Sequence, residues 1–242
     1  MRKVHIDRIE NGQVVAKTVF DSSGRILISP GLPFRESYRD KLKSCRISEI
    51  FIEDEISKGI KVENVVHEQT RMDAKILLKS SMENYVSPDM LNIEQIKLVV
   101  NRIIDDLFEN DNIIVNLSEI RSVDDYTFEH SVNVCILSII MGIGLNYNVC
   151  RLRELGIGAL LHDIGKLKVP KELLKKPEQL TVEEFEEIKK HTDYGFEILK
   201  NNDNVSMVSA YIAYGHHERC DGTGYPDKLK DESIHEYARI VA

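Results

Sequence analysis

Five of the eight histidines in this 242-residue chain, His130, His162, His191, His216 and His217, fall within 88 residues, each in or beside a stretch of helical periodicity. A single histidine in a helix is ordinarily structural or surface-exposed. Here the neighbours change the reading: His162 directly precedes Asp163, and His216 directly precedes His217. An imidazole beside a carboxylate suits a site with two metal ions, because His162 can bind one while the two oxygens of Asp163 bridge both. In the segment LLHDIGK, Leu160 and Leu161 bury the approaching helix, Gly165 leaves room for a ligand against the backbone, and Lys166 offers a point charge to a phosphate oxygen. His191 shares a helix face with Ile188 and Gly195. His216 and His217 end a helix built on Val208, Tyr211 and Ile212, and the following ERCDGTGYP reads as a Gly/Pro loop that covers the site. His130 lies in DDYTFEHSVNV, ahead of an apolar helix. His5, His67 and His235 have no such company and read as surface or structural residues.

The charge balance agrees with metal-based chemistry. There are 32 Lys plus Arg against 40 Asp plus Glu, net −8, which excludes a general nucleic-acid polymer binder. An anionic substrate must then be held by a local cluster of cations, either metals or a few basic side chains. The most apolar stretch, Val132 to Leu145, is 14 residues long and contains Asn133 and Ser138. It is too short to span a bilayer and reads as a buried helix. The first residues, MRKVHIDRIENG, carry no apolar core of signal-peptide length. The four cysteines (Cys45, Cys135, Cys150, Cys220) are widely spaced with no C-x-x-C pair, which suggests a reduced, cytoplasmic setting.

These residues need elements to hold them, and the texture of the chain predicts an α+β protein. Residues 1–62 read as a small β-rich, regulatory unit: strands over Gln13–Phe20 and Arg25–Ser29 around the turn DSSG, a helix from Pro33 to Lys43, and a strand over Ile47–Glu53. Residues 63–110 read as a helical linker region. Ser87–Pro88 there would open a helix with one apolar face formed by Ile93, Ile96, Val100, Ile103 and Leu107. Residues 111–242 should be all-helical, with a Thr181/Glu184 capping box opening a helix toward Leu199 and Asp203 capping the helix that leads to His216.

Taken together, His162-Asp163 in HDIGK, HHERCDGTGYP, DDYTFEHS and the H-x-x-x-G at His191 resemble the HD-GYP family of bacterial signalling phosphodiesterases, over about Asn112–Ala242. Residues 1–62 resemble, more weakly, a small domain found ahead of some HD-GYP domains. The resemblance implies a helical domain with two divalent iron or manganese ions and hydrolysis of cyclic di-GMP to linear pGpG, a second cleavage to GMP staying open. Carried over by motif, His130, His162 and Asp163 hold one metal, while Asp163, His191, His216 and His217 hold the second. Lys166 steadies the substrate phosphate. Gly222, Gly224, Tyr225 and Pro226 line the pocket and serve contacts with diguanylate cyclase (GGDEF) proteins; a homodimer is compatible with the pattern. Family members with three metals carry Glu four residues before the histidine matching His130; Tyr126 stands there, favouring two. The family also carries a metal-binding Asp and further helices just after the segment matching ARIVA (Ala238–Ala242). Two rivals stand beside this reading. One is a cyclic-dinucleotide sensor or docking module with weak or no turnover, and the other is an HD-superfamily hydrolase of another nucleotide. Cyclic GMP-AMP as substrate stays open.

Overall fold

The computed structural model describes residues 1–21, 23–45, 47–55, 57, 65–87, 90–109 and 126–242. At the N-terminus, β1 (Arg2–His5) and β2 (Val14–Val15) flank β5 (Glu49–Glu53) in an antiparallel sheet of order β1-β5-β2, and β3 (Val19–Phe20) pairs with β4 (Ile26–Ile28). The period of two in β5 turns Ile50 and Ile52 inward, opposite Val4 and Val15. With Ile6, Ile9, Val19, Ile28, Phe34 and Leu42 they form a core separate from the helical one.

The expected single strand over Gln13–Phe20 is two short ones. The helix expected from Pro33 is shorter, α1 (Tyr38–Ser44). The cause is pairing: Pro33 bridges Val14, and Phe34 N–H donates to the Gln13 carbonyl, so these residues are drawn into the sheet. β5 starts two residues later than Ile47, whose N–H closes on the Leu42 carbonyl at the end of α1.

The rest of the described chain is helical. It comprises α2 (Glu68–Glu83), α3 (Ile93–Glu109), α4 (Tyr126–Gly144), α5 (Val149–Leu161), a 3-10 turn (Ile164–Lys168), α6 (Lys171–Leu174), α7 (Val182–Lys189), α8 (His191–Lys200), α9 (Met207–Gly215) and α10 (Glu236–Val241). The apolar face read from α3 is buried as expected. Its start is not at Ser87: Asn92 Oδ1 accepts the Gln95 N–H at 3.1 Å and caps it, while Pro88 lies outside the described residues. So does the 62/63 boundary between the expected units. No helix among the described residues is long and apolar enough to cross a membrane.

Two departures in the C-terminal half matter for the site. The Thr181/Glu184 capping box is present, but the helix it opens stops at Lys190 and restarts as α8, which makes His191 a first-turn residue. Ser206, not Asp203, caps α9 by accepting the Ser209 N–H, because Asn202 closes its own turn with Asn204 and Val205 first. α5 and α9 pack tightly at Gly158, where a Cβ would run into Ile212 and the Ser209 carbonyl.

Candidate metal centre

α5 delivers the central pair. Leu160 and Leu161 are buried, His162 is the C-cap of the helix, and Asp163 follows at the mouth of the 3-10 turn. The turn is pressed onto α8 at Gly165, where a Cβ would collide with the His191 carbonyl oxygen and the Gly195 amide. Glycines at both positions let two backbones approach, and this brings His191 to Asp163.

Asp163 is 3% exposed, and its two oxygens face different partners. Oδ2 lies 3.3 Å from His162 Nε2 and 2.6 Å from Lys166 Nζ; Oδ1 lies 3.5 Å from His191 Nε2 and 3.8 Å from His216 Nε2. The far nitrogens settle the tautomers. His162 Nδ1 is 2.7 Å from the Ala159 carbonyl, His191 Nδ1 2.7 Å from the Ile188 carbonyl, and His216 Nδ1 3.0 Å from the Ala213 carbonyl. A carbonyl can only accept, so each Nδ1 carries a proton; in His191 and His216, whose pKa values burial lowers, the neutral ring then leaves Nε2 with its lone pair. The 3.3 Å approach of His191 Nε2 and His216 Nε2 is then not a hydrogen bond but two donor atoms aimed at one point.

His217 and His130 complete the two sides. The His217 ring is 4.2 Å from that of His216 and 5.1 Å from that of His191, while the His130 ring is 5.3 Å from that of His162. One nitrogen or oxygen from each of Asp163, His191, His216 and His217 lies within 4.8 Å of the others, and the same holds for His130, His162 and Asp163.

The electrostatics keep four of these imidazoles, those of His130, His191, His216 and His217, neutral. Burial lowers the pKa of His191, of His130 and, to well below the usual value, of His216. Burial, helped by His191, brings His217 down to about 4. Burial works to raise Asp163, but the contact with His162 and the Lys166 ammonium outweigh it and hold the carboxyl well below the usual carboxylate range. The site is thus a buried anion with the lone pairs of His191 and His216 toward one oxygen, and among the described residues that oxygen, Asp163 Oδ1, has no hydrogen-bond donor. An unmet buried acceptor costs roughly 1–3 kcal/mol, and lone pairs facing a carboxylate repel. Cations between the imidazoles and each oxygen relieve both, so nitrogen- and carboxylate-binding divalent metals fit the donor set.

Lys166, partly exposed, has its ammonium on Asp163. Of the loop residues expected to line the pocket, Tyr225 stacks on His217 with ring centroids 4.6 Å apart and 22° between planes. Gly224 packs under the backbone of His217–Arg219, and Pro226 follows Tyr225 through a cis peptide. Gly222 lies against the Lys230 side chain. Tyr126 begins α4, but its side chain lies outside the described residues, as do Asp124 and Asp125. His5, His67 and His235 each precede a helix or 3-10 turn as N-cap residues and take no part in the cluster.

Two features escaped the sequence reading. Glu218 is 2% exposed and accepts the Asp227 N–H at 2.7 Å and the Leu229 N–H at 2.9 Å, so this carboxylate folds the loop that places Tyr225. Its signal was available, since an acid directly after the histidine pair faces a glycine loop rich in free amides. On the other side, α2 ties down the start of α4: Arg71 donates to Asn133, and Arg71 and Lys75 pair with Glu129 at 3.6 and 3.4 Å, one residue from His130. A contact across so many residues leaves no local signal.

Comparison with known proteins points in one direction. Residues 124–242 match the family described as HD domain. A cyclic di-GMP phosphodiesterase of Pseudomonas aeruginosa is 38% identical over 144 residues, covering 60% of this chain and 35% of that protein. A cyclic di-GMP phosphodiesterase of Thermotoga maritima is 42% identical over 139 residues, covering 57% and 37%. The chain therefore spans about a third of the length of these relatives. Among solved structures, an HDG"Y"P protein from Bdellovibrio bacteriovorus superposes with a TM-score of 0.63 at 18% identity, over 99% of this chain and 84% of that one, a likeness of fold.

Proposed function

Because residues 124–242 match the HD domain family, we propose that this chain is a metal-dependent phosphodiesterase that hydrolyses cyclic di-GMP to linear pGpG or GMP. The observation that carries the reading is the Asp163 carboxylate, with one oxygen toward His162 and the other toward His191 and His216. His130, His162 and Asp163 would hold one metal, and Asp163, His191, His216 and His217 the other. Iron or manganese suits these mixed imidazole–carboxylate sets. When bound, such metals acidify water and offset charge on the phosphoryl oxygens.

The chain's own groups do the rest. The carbonyl-bonded Nδ1 atoms of His162, His191 and His216 fix the ring orientations, so that little reorganisation is needed at the moment of reaction. Lys166 spends one N–H on Asp163 and has others to donate to a non-bridging phosphate oxygen. Tyr225 closes one wall on His217, and burial and the Asp163 charge raise its phenol pKa, so it stays a neutral hydrogen-bond donor. The exposed Asp221 and Thr223 of the same loop face outward, the surface we assign to docking of diguanylate cyclases. Four cysteines without disulfide partners suit a cytoplasmic setting. Residues 1–62 we take as a regulatory unit, supported by their separate core.

The test is anaerobic purification, metal analysis and chromatography of the products from cyclic di-GMP. Bound divalent metal with pGpG or GMP as product is expected. Metal-loaded protein that binds cyclic di-GMP without product would overturn the enzymatic reading in favour of a sensor.

A further inference from the structure

Tyr225 does not end the aromatic wall that starts at His217. Phe185 on α7 meets it edge-on, ring centroids 6.3 Å apart at 81°, and Phe185 is 44% exposed although it is a large apolar side chain beside a buried charged cluster. Lys189, one turn later on the same helix, holds its ammonium 4.9 Å from the Phe185 ring centroid and 5.4 Å from that of Tyr225. Its only described ion pair is with the exposed Glu186 of its own helix, at 2.6 Å. The break at Lys190 that makes His191 the first residue of α8 also sets Phe185 and Lys189 immediately outside the metal-ligand shell.

Resting on the phosphodiesterase reading above, we propose that Phe185 and Lys189 form the subsite for one guanine base of the cyclic dinucleotide. Phe185 offers the stacking surface, as sequence-tolerant base sites do with exposed aromatics. Lys189 discriminates: guanine presents two acceptors, O6 and N7, on one edge, whereas adenine places an N6 donor beside N7. A lysine beside the stacked ring therefore favours guanine. The polarity of the arrangement fits a nucleotide, with metals and Lys166 for the phosphate and, one ring further out through Tyr225, an aromatic face with a cation for the base.

The chain has no tryptophan, so Phe185→Trp places its one tryptophan, which can be excited selectively over tyrosine, in the proposed subsite. In stopped flow with metal-loaded protein, cyclic di-GMP should quench its emission and dimethyl phosphate should not; emission indifferent to cyclic di-GMP overturns the proposal. For Phe185→Ala, the ratio of kcat/KM on cyclic di-GMP to that on base-free bis(p-nitrophenyl) phosphate should fall about tenfold, with Phe185→Trp restoring it. An unchanged ratio, whether both activities fall or neither does, overturns the subsite and leaves the phosphodiesterase reading standing. Lys189→Gln should lower the preference for cyclic di-GMP over cyclic di-AMP at least about fivefold. Wild-type protein that cleaves the base-free diester but no cyclic di-GMP overturns the function reading, and the subsite with it.

Discussion

A carboxylate sealed among neutral imidazoles is costly unless something cationic joins them, which makes Asp163 the residue on which the site turns. Asp163→Ala removes ligand atoms from both sets, and we expect loss of both metals by elemental analysis together with loss of turnover. Asp163→Asn keeps the shape but loses the charge, and should retain less metal than wild type on the same assay. Acid should do reversibly what mutation does permanently. His217, with a folded pKa of about 4 against an ordinary 6.5, binds fewer protons folded than unfolded between those values. Folding stability is thus full above pH 6.5 and falls as pH drops toward 4, by roughly 3 kcal/mol from this group. His130, His191 and His216 shift in the same direction. The depressed Asp163 adds a loss that sets in only near and below its ordinary 3.8. Chelator-treated protein should therefore show a melting temperature that declines from pH 6.5 to 4; a flat profile would show that these imidazoles are not neutral in the folded state.

Elements convert these residues into a site through close approaches. α5 and its 3-10 turn present His162 and Asp163, α8 presents His191, and the two meet backbone to backbone at Gly165 and Gly195. Gly165→Ala puts a methyl into the His191 carbonyl, a collision with backbone rather than with a flexible side-chain end. We expect a loss of about 1–3 kcal/mol in urea unfolding and weaker metal retention. α7 is held by its capping box, so Thr181→Ala should cost about 1 kcal/mol with little effect on bound metal. The 218–229 loop depends on one buried carboxylate. Glu218→Gln can keep only part of the pairing with the two amides, and Glu218→Ala leaves both unpaired. A larger rise in KM for Ala than for Gln, with metal content unchanged, is the outcome expected if Glu218 positions Tyr225.

Across the whole molecule, two cores are joined by side-chain contacts rather than merged. The N-terminal cluster around Phe34 and the helical cluster share no residue, and Gly24 in the β3–β4 turn lies close against Met72 and Ile76 of α2. From α2 the path continues through Arg71 and Lys75 to Glu129, next to His130. Phe34→Ala should empty a fully buried aromatic position and cost about 3–5 kcal/mol in the N-terminal unit. Metal bound by the helical part should survive, which metal analysis of the folded variant would check.

What the residues themselves announced was chemistry: adjacent His162 and Asp163, the His216–His217 pair and the glycine loop after it carry a metal-ligand signature in type and spacing alone. Helical texture was legible for the same reason, because the apolar period of α3 and the Thr181 box are local. The choices made by distant partners were not. Pro33–Phe34 joined the sheet because β2 was there to pair with, and one oxygen of Asp163 turned toward His191 because two glycines from separate elements let the backbones touch. Glu218 found its amides, and Arg71 its partners on α4, only after the chain had folded back on itself. Local sequence sets which groups exist and which backbone they prefer. Which lone pairs converge on one point depends on packing between segments far apart in the chain, and only the folded arrangement decides it.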